Sequence, residues 1–187
     1  PQSYDIQLEH VSFAYDENAE KALDDVSLTV RQGTVTALVG ESGGGKSTIA
    51  NLIARFWDVQ EGTVNIGGVD VCDMDYGEWM KRVSIVFQDT SLFKMSILEN
   101  VATFCPDATR EEILRALHLA QCDDILEKLP DGVDTVIGTK GIYLSGGEMQ
   151  RIALARAILK DAPVILLDEA TAFADAENEY LIQKALD

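Results

Sequence analysis

No stretch of this chain is apolar for long enough to cross a bilayer, and its start, Pro1 to His10, lacks the basic-then-apolar layout of a secretory signal. The polypeptide is therefore read as soluble in itself. Cations are scarce: 15 Lys and Arg stand against 32 Asp and Glu, a formal charge of -17, with no local basic cluster. Such a surface repels a phosphate backbone, so no nucleic-acid partner is expected. Cys72, Cys105 and Cys122 are odd in number and have neither metal-ligand nor redox-pair spacing, which makes them reduced thiols without a chemical role. His10 and His118 have no Cys or carboxylate neighbours in sequence and enter no candidate site. Internal repeats and low-complexity segments are also missing.

What is present suits one domain: 187 residues can bury a real core but not two. Ile6 to Tyr15 alternates apolar and polar residues with one phase slip at His10 and Val11, and Val26, Leu28 and Val30 alternate again, so the opening is expected to be β-rich. Gly33 turns the chain into Val35 to Val39, expected as a strand, followed by glycines and a helix-compatible segment from Lys46 to Phe56. Further strands are expected at Thr63 to Ile66 and at Val83 to Phe87. From Asp89 to about Leu159 the texture is helical. Thr109 with Glu112, and Ser145 with Glu148, read as capping boxes. Ile113, Leu114, Leu117 and Ala120 supply the apolar face of the first helix, and Ile152, Ala155, Ile158 and Leu159 that of the second. Pro163 ends the second helix, and Val164 to Leu167 reads as a fully buried parallel strand.

The chemistry concentrates in Gly40-Glu41-Ser42-Gly43-Gly44-Gly45-Lys46-Ser47, a phosphate-binding loop pattern lying between an expected strand and an expected helix. Glycines let the backbone curl so that successive N–H groups point at a triphosphate. Lys46 then reaches the terminal phosphates and Ser47 offers its hydroxyl to Mg²⁺. A triphosphate carries about four negative charges, against about two from Mg²⁺, about one from Lys46 and about half of one from the helix that starts there. About half a charge is left, and a second helix N-terminus would supply it. Leu144-Ser145-Gly146-Gly147-Glu148 offers one, although taken alone it could equally be a well-capped helix.

Taken in order, the phosphate loop, Leu144 to Glu148 followed by Met149-Gln150-Arg151, and Val164 to Leu167 followed by Asp168-Glu169 resemble the ABC ATPase family over the whole chain. The resemblance implies an α/β fold: a RecA-like P-loop NTPase core (residues 1–88 and 160–187) with an N-terminal antiparallel β subdomain and an inserted α-helical subdomain (89–159). It implies a nucleotide held by Gly40, Ser42, Gly43, Gly44, Gly45, Lys46, Ser47 and Thr48 of one copy, and by Ser145, Gly146, Gly147 and Glu148 of a second ATP-binding domain. Tyr15 would stack on adenine. Ser47, Gln88 and Asp168 would hold Mg²⁺, and Glu169 would act as general base, with Gln88 and Lys46 also in the catalytic set. Asp175 matches a residue of the loop that crosses between subunits.

Phe56 to Gly62, Gln88 to Phe93 and Ile97 to Asn100 are similar to the exporter branch, in which this domain follows a transmembrane domain in the same polypeptide. Thr135 to Gly141 lacks the two glutamates usual there, and Ala172 to Asp175 followed by Glu177-Asn178-Glu179 is similar to siderophore-handling members. The expected location is the cytoplasmic face of a membrane. The family's switch histidine is expected beyond Asp187, so the chain is expected to bind ATP and hydrolyse it slowly. Rival readings are an ABC-type machine acting on nucleic acid or ribosomes, disfavoured by the acidic charge, and a phosphate-loop kinase or GTPase, which would need neither Ser145-Gly146-Gly147 nor Glu169. A third is a non-hydrolysing regulatory half, disfavoured by Glu169.

Overall fold

A computed structural model describes residues 3–87, 90–138 and 142–168, together with Tyr180, Lys184 and Ala185. The chain divides into two compact units, Pro1–Val83 and Ser84–Asp187.

The first unit is built on an antiparallel sheet. Strands β1 (Ile6–Phe13), β2 (Leu23–Val30), β3 (Glu61–Ile66) and β4 (Val69–Asp70) lie in the order β2-β1-β3-β4. The phase slip of the sequence has a physical form here. Between Glu9 and Ser12, β1 spends one residue more than β3 spends between Thr63 and Glu61, so the strand carries a bulge. The extra residue moves the inward positions from Ile6 and Leu8 to Val11 and Phe13, all buried. His10 takes the left-handed φ of 52° at the bulge, and Gly62 faces it. A Cβ on Gly62 would lie 2.4 Å from the carbonyl oxygens of Glu9 and His10, so no other residue fits.

Helix α1 (Lys46–Ile53) buries Ile49, Leu52 and Ile53. Its C-terminal carbonyl at Ile53 accepts 3.0 Å from the indole N–H of Trp79, itself buried in the short helix α2 (Tyr76–Met80). The expected strand at Val35 to Val39 does not form: residues 34–40 are irregular, with Val35 77% and Val39 93% exposed. Apolar alternation alone does not make a strand. A ladder needs a neighbour to accept it, and no described strand pairs with this segment.

The second unit holds most of the described helices: α3 (Ile97–Ala102), α4 (Arg110–Leu119), α5 (Asp123–Lys128) and α6 (Gly146–Lys160). Both expected capping boxes are present, and a further one joins Ser96 to Glu99 at the start of α3. On α4 the buried stripe is Ile113, Ala116 and Leu117, continued by Ala120 at the C-cap, whereas Leu114, placed on that face by the sequence, is 38% exposed, because it lies one step round the helix.

The long helix α6 is buried on more than the expected face. Ile152 and Ala155 join the helical core, while Ala153 and Ala157 on the other side pack with Val86 and Leu167 of strands β5 (Val83–Val86) and β6 (Val164–Leu167). Small residues on this second side let the strands approach. Strand β6 is expected to be buried throughout, but Ile165 is 42% exposed, while Val164 is buried and Leu167 packs against α6.

Two buried polar groups tie these helices together. The side chain of Asn100, fully buried, accepts from Phe93 N–H (2.8 Å) and donates to the carbonyls of Phe93 (3.0 Å) and Ser96 (3.0 Å), fixing the turn before α3. Arg151 of α6, 2% exposed, forms a fork on Asp124 of α5 at 2.6 and 3.0 Å and also donates to the Gln121 carbonyl. That guanidinium holds the Asp124 carboxyl below the usual carboxylate range.

The depressed value sets the sign of a pH effect. Stability from this pair is complete above the unfolded-chain value of about 3.9 and is lost as pH falls through the lower native value. Asp124→Asn should cost about 1 kcal/mol at pH 6, since the carboxylate is partly solvated, and should flatten the loss between pH 6 and 3. Urea midpoints followed by circular dichroism at both pH values check this. Arg151→Ala, which strands a carboxylate and a carbonyl, should cost about 3 kcal/mol by the same measurement.

Candidate functional site

In the first unit, the phosphate loop is shaped by its glycines. Gly43 and Gly45 have φ of +80° and +81°, and the Gly44 N–H closes a turn on the Glu41 carbonyl at 3.1 Å. Gly45 is the N-cap of α1 and brings no side chain to satisfy the first-turn N–H groups. A Cβ there would lie 2.6 Å from both the Ala22 carbonyl oxygen and a Leu23 methyl. Glycine is thus required twice over, by dihedral and by space. The result is a helix start presenting backbone donors and the positive end of its dipole, the arrangement that binds phosphate.

Lys46 Nζ donates to the carbonyls of Gly40 (2.9 Å) and Glu41 (2.6 Å), so its ammonium lies against the loop itself. Gly40 and Ser42 complete the loop, and Ser47 and Thr48 form the first turn of α1.

Tyr15 belongs to the same assembly. Its hydroxyl lies 3.0 Å from Oγ1 of the buried Thr48 and accepts from Asn51 Nδ2 at 3.4 Å. Its ring meets Phe13 (centroids 5.0 Å apart) and Trp57 (5.4 Å) edge-to-face, with interplanar angles of 88° and 86°. Among the described residues no ring is stacked parallel on it, and 46% of the residue is exposed. An aromatic tethered to the phosphate-loop helix and open to solvent can receive a flat base.

In the second unit, Ser145 caps α6. Its Oγ accepts from the Glu148 N–H (3.2 Å), and Glu148 Oε2 accepts from the Ser145 N–H (2.8 Å). The box occupies those two donors, while Gly146 and Gly147 at the first helical positions have no intrahelical acceptor for theirs. Asp168 follows β6 directly, its N–H donating 2.9 Å to the Val86 carbonyl. Gln88, Glu169 and Asp175 lie outside the described residues.

Burial pushes the Cys122 thiol up to about 12, and burial together with Asp70 and Asp58 pushes Cys72 up to about 11. Both stay protonated at neutral pH, in keeping with no chemical role. Sequence reasoning missed Asn51, Trp57 as a ring neighbour of Tyr15, and Gln60, whose amide grips Ala14. Their only signal is proximity created by the fold. The resemblance used Phe56 to Gly62 to choose a branch, but its pattern does not show what each side chain touches.

These features define a phosphate-loop nucleotide-binding domain, and comparison with known proteins narrows the class. The family model described as ABC transporter matches residues 23–172, so the chain belongs to that family and is its ATP-binding domain. ABC transporter B family member 28 of Arabidopsis thaliana is 48% identical over 97% of this chain, which spans 26% of that protein. The mycobactin import ATP-binding/permease protein IrtA of Mycobacterium tuberculosis is 50% identical over 97% of the chain, which spans 21% of it. The ATP-dependent lipid A-core flippase of Legionella pneumophila is 44% identical over 98% of the chain and 31% of its own length. A structure of a bacterial Atm1-family ABC exporter with ATP bound matches with a TM-score of 0.90 and 38% identity, over 98% of this chain and 32% of that one. The chain thus spans about a quarter of the length of these relatives, and no described helix is long and apolar enough to cross a membrane.

The loop geometry separates two glycines. Gly43→Ala meets nothing within 4 Å and should cost only the left-handed backbone, about 1–2 kcal/mol. Gly45→Ala adds a collision with the Ala22 backbone and should cost more, with a larger drop in ATP affinity. Urea midpoints and calorimetric titration with Mg·ATP on both variants check the order.

Proposed function

We propose that this chain is the motor of an exporter-type membrane transporter, binding Mg·ATP and hydrolysing it between two ATP-binding domains. The observation that carries the reading is the side-chain-free N-cap at Gly45, whose helix also holds Lys46 and the Tyr15 hydroxyl. One helix start thereby serves both ends of a nucleotide. Tyr15 stacks on the base, and the loop from Gly40 to Thr48 wraps the phosphates. Lys46 exchanges its two carbonyl partners for phosphate oxygens, a stronger pairing because both sides are then charged.

Ser47, Gln88 and Asp168 would hold Mg²⁺, which when bound supplies neutralising charge at the terminal phosphates. Donors of this kind fit, being an alcohol, an amide and a carboxylate, all hard oxygen ligands. Glu169 takes the proton of the attacking water. The remaining positive charge comes from Ser145, Gly146 and Gly147 of the second domain, whose capping box keeps that corner rigid. Since every site needs two copies, turnover by the isolated chain is slow and rises steeply with its concentration.

A transmembrane domain in the same polypeptide is the proposed mechanical partner, at the cytoplasmic face of a membrane, with an α/β core at residues 1–88 and 160–187 and a helical subdomain at 89–159. Support comes from relatives named as permeases of which this chain covers a fraction. One relative is named for import and another as a flippase, so substrate and direction belong to the part outside this chain. The charge of -17 supports no nucleic-acid role.

Lys46→Ala should weaken Mg·ATP binding at least tenfold in calorimetric titration; unchanged affinity would overturn the proposal. Glu169→Gln should keep binding and lower phosphate release about 10²–10⁴-fold.

A further inference from the structure

The paired backbone of β1 and β3 runs out at Ser12 and Glu61. Just past that point, one side chain continues the ladder. Gln60 Oε1 accepts from the Ala14 N–H at 2.9 Å, and Gln60 Nε2 donates to the Ala14 carbonyl at 2.7 Å, across 46 residues of sequence. A primary amide can donate and accept in one plane, so it stands in for a strand residue and satisfies both polar groups of Ala14. The next residue is Tyr15.

The same short segment also supports the tyrosine ring. Trp57 lies edge-to-face with Tyr15 and 6.0 Å from Phe13, while the Phe13 carbonyl accepts from the Ala22 N–H at 2.8 Å. Backbone before the tyrosine is thus gripped on both sides, its ring is flanked by Phe13 and Trp57, and its hydroxyl meets Thr48 in the first turn of α1. Helix α1 ends at Ile53 and leads directly into the segment that carries Trp57 and Gln60. Tyr15 is therefore tied to both ends of the helix into which the phosphate loop leads.

We infer that Gln60 is a positioning residue for nucleotide binding: through Ala14 it sets where the Tyr15 ring stands relative to the phosphate loop. This rests on the reading of Tyr15 as the base platform. Without the grip, residues 14 and 15 sample more conformations, and binding ATP must order them, which lowers affinity without removing any contact. The loss is specific to ligands that carry a base. Inorganic tripolyphosphate, which uses only the loop, is unaffected.

The test is calorimetric titration of the chain with Mg·ATP and with Mg·tripolyphosphate. Gln60→Leu, which keeps the bulk and deletes both hydrogen bonds, should weaken ATP three- to tenfold and leave tripolyphosphate unchanged. Gln60→Glu, which keeps only the acceptor, should lie between, and it stands in should the leucine variant fail to fold. In a Tyr15→Ala background, Gln60→Leu should add less than twofold. Equal weakening of both ligands, or no weakening of ATP, overturns the inference. Tyr15→Ala discriminates the two levels. If it leaves the ATP-to-tripolyphosphate ratio unchanged, the base platform itself is wrong. If it changes the ratio and Gln60→Leu does not, only the role of Gln60 falls.

Discussion

A helix that starts on a glycine is the constraint around which the first unit is arranged. At Gly45 the left-handed backbone and the close Ala22 carbonyl leave no room for a Cβ, so α1 begins without the side-chain oxygen that most helices use to quench their first N–H groups. An uncapped start costs stability in an ordinary helix. Here it leaves donors and dipole for an anion, and the cost is offset by Ile49, Leu52 and Ile53 packing inward and by the Trp79 indole on the Ile53 carbonyl. The helix is held from its far end so that its near end can stay open.

The start of α6 is built in the opposite sense. Ser145 and Glu148 close a capping box, and the helix is anchored by its interior, with Arg151 forked onto Asp124 and Ala153 and Ala157 lying against the strands. On the proposed reading, in which this corner closes on a nucleotide held by a second domain, rigidity before contact favours binding, because ordering it afterwards would subtract from affinity. Asn100 does the comparable work for the turn before α3, where its amide replaces a missing stretch of regular hydrogen bonding.

Residue 60 shows how a sheet can be lengthened by a side chain where the backbones part. Strands β1 and β3 diverge past Ser12 and Glu61, and continuing them by main chain would carry Tyr15 further along the sheet instead of letting it turn onto α1. The Gln60 amide supplies the pairing without that geometry. The β1 bulge at His10 has a related role: one inserted residue changes which positions face inward, and Phe13 reaches the core beside Tyr15 as a result.

Short-range rules determined what the sequence alone could show. Glycine spacing marked the phosphate loop, Ser/Thr-to-Glu spacing marked the caps of α4 and α6, and a broken alternation marked the bulge, because each is decided within a few residues of chain. Three contacts were decided only by the tertiary structure: Gln60 on Ala14, Tyr15 on Thr48 and Arg151 on Asp124, since each joins residues from 27 to 46 positions apart. The same reason explains the misread segments. Val35 to Val39 and Ile165 carry strand-like residues, but pairing and burial are properties of the neighbours a segment meets, and those neighbours are not written in the segment itself.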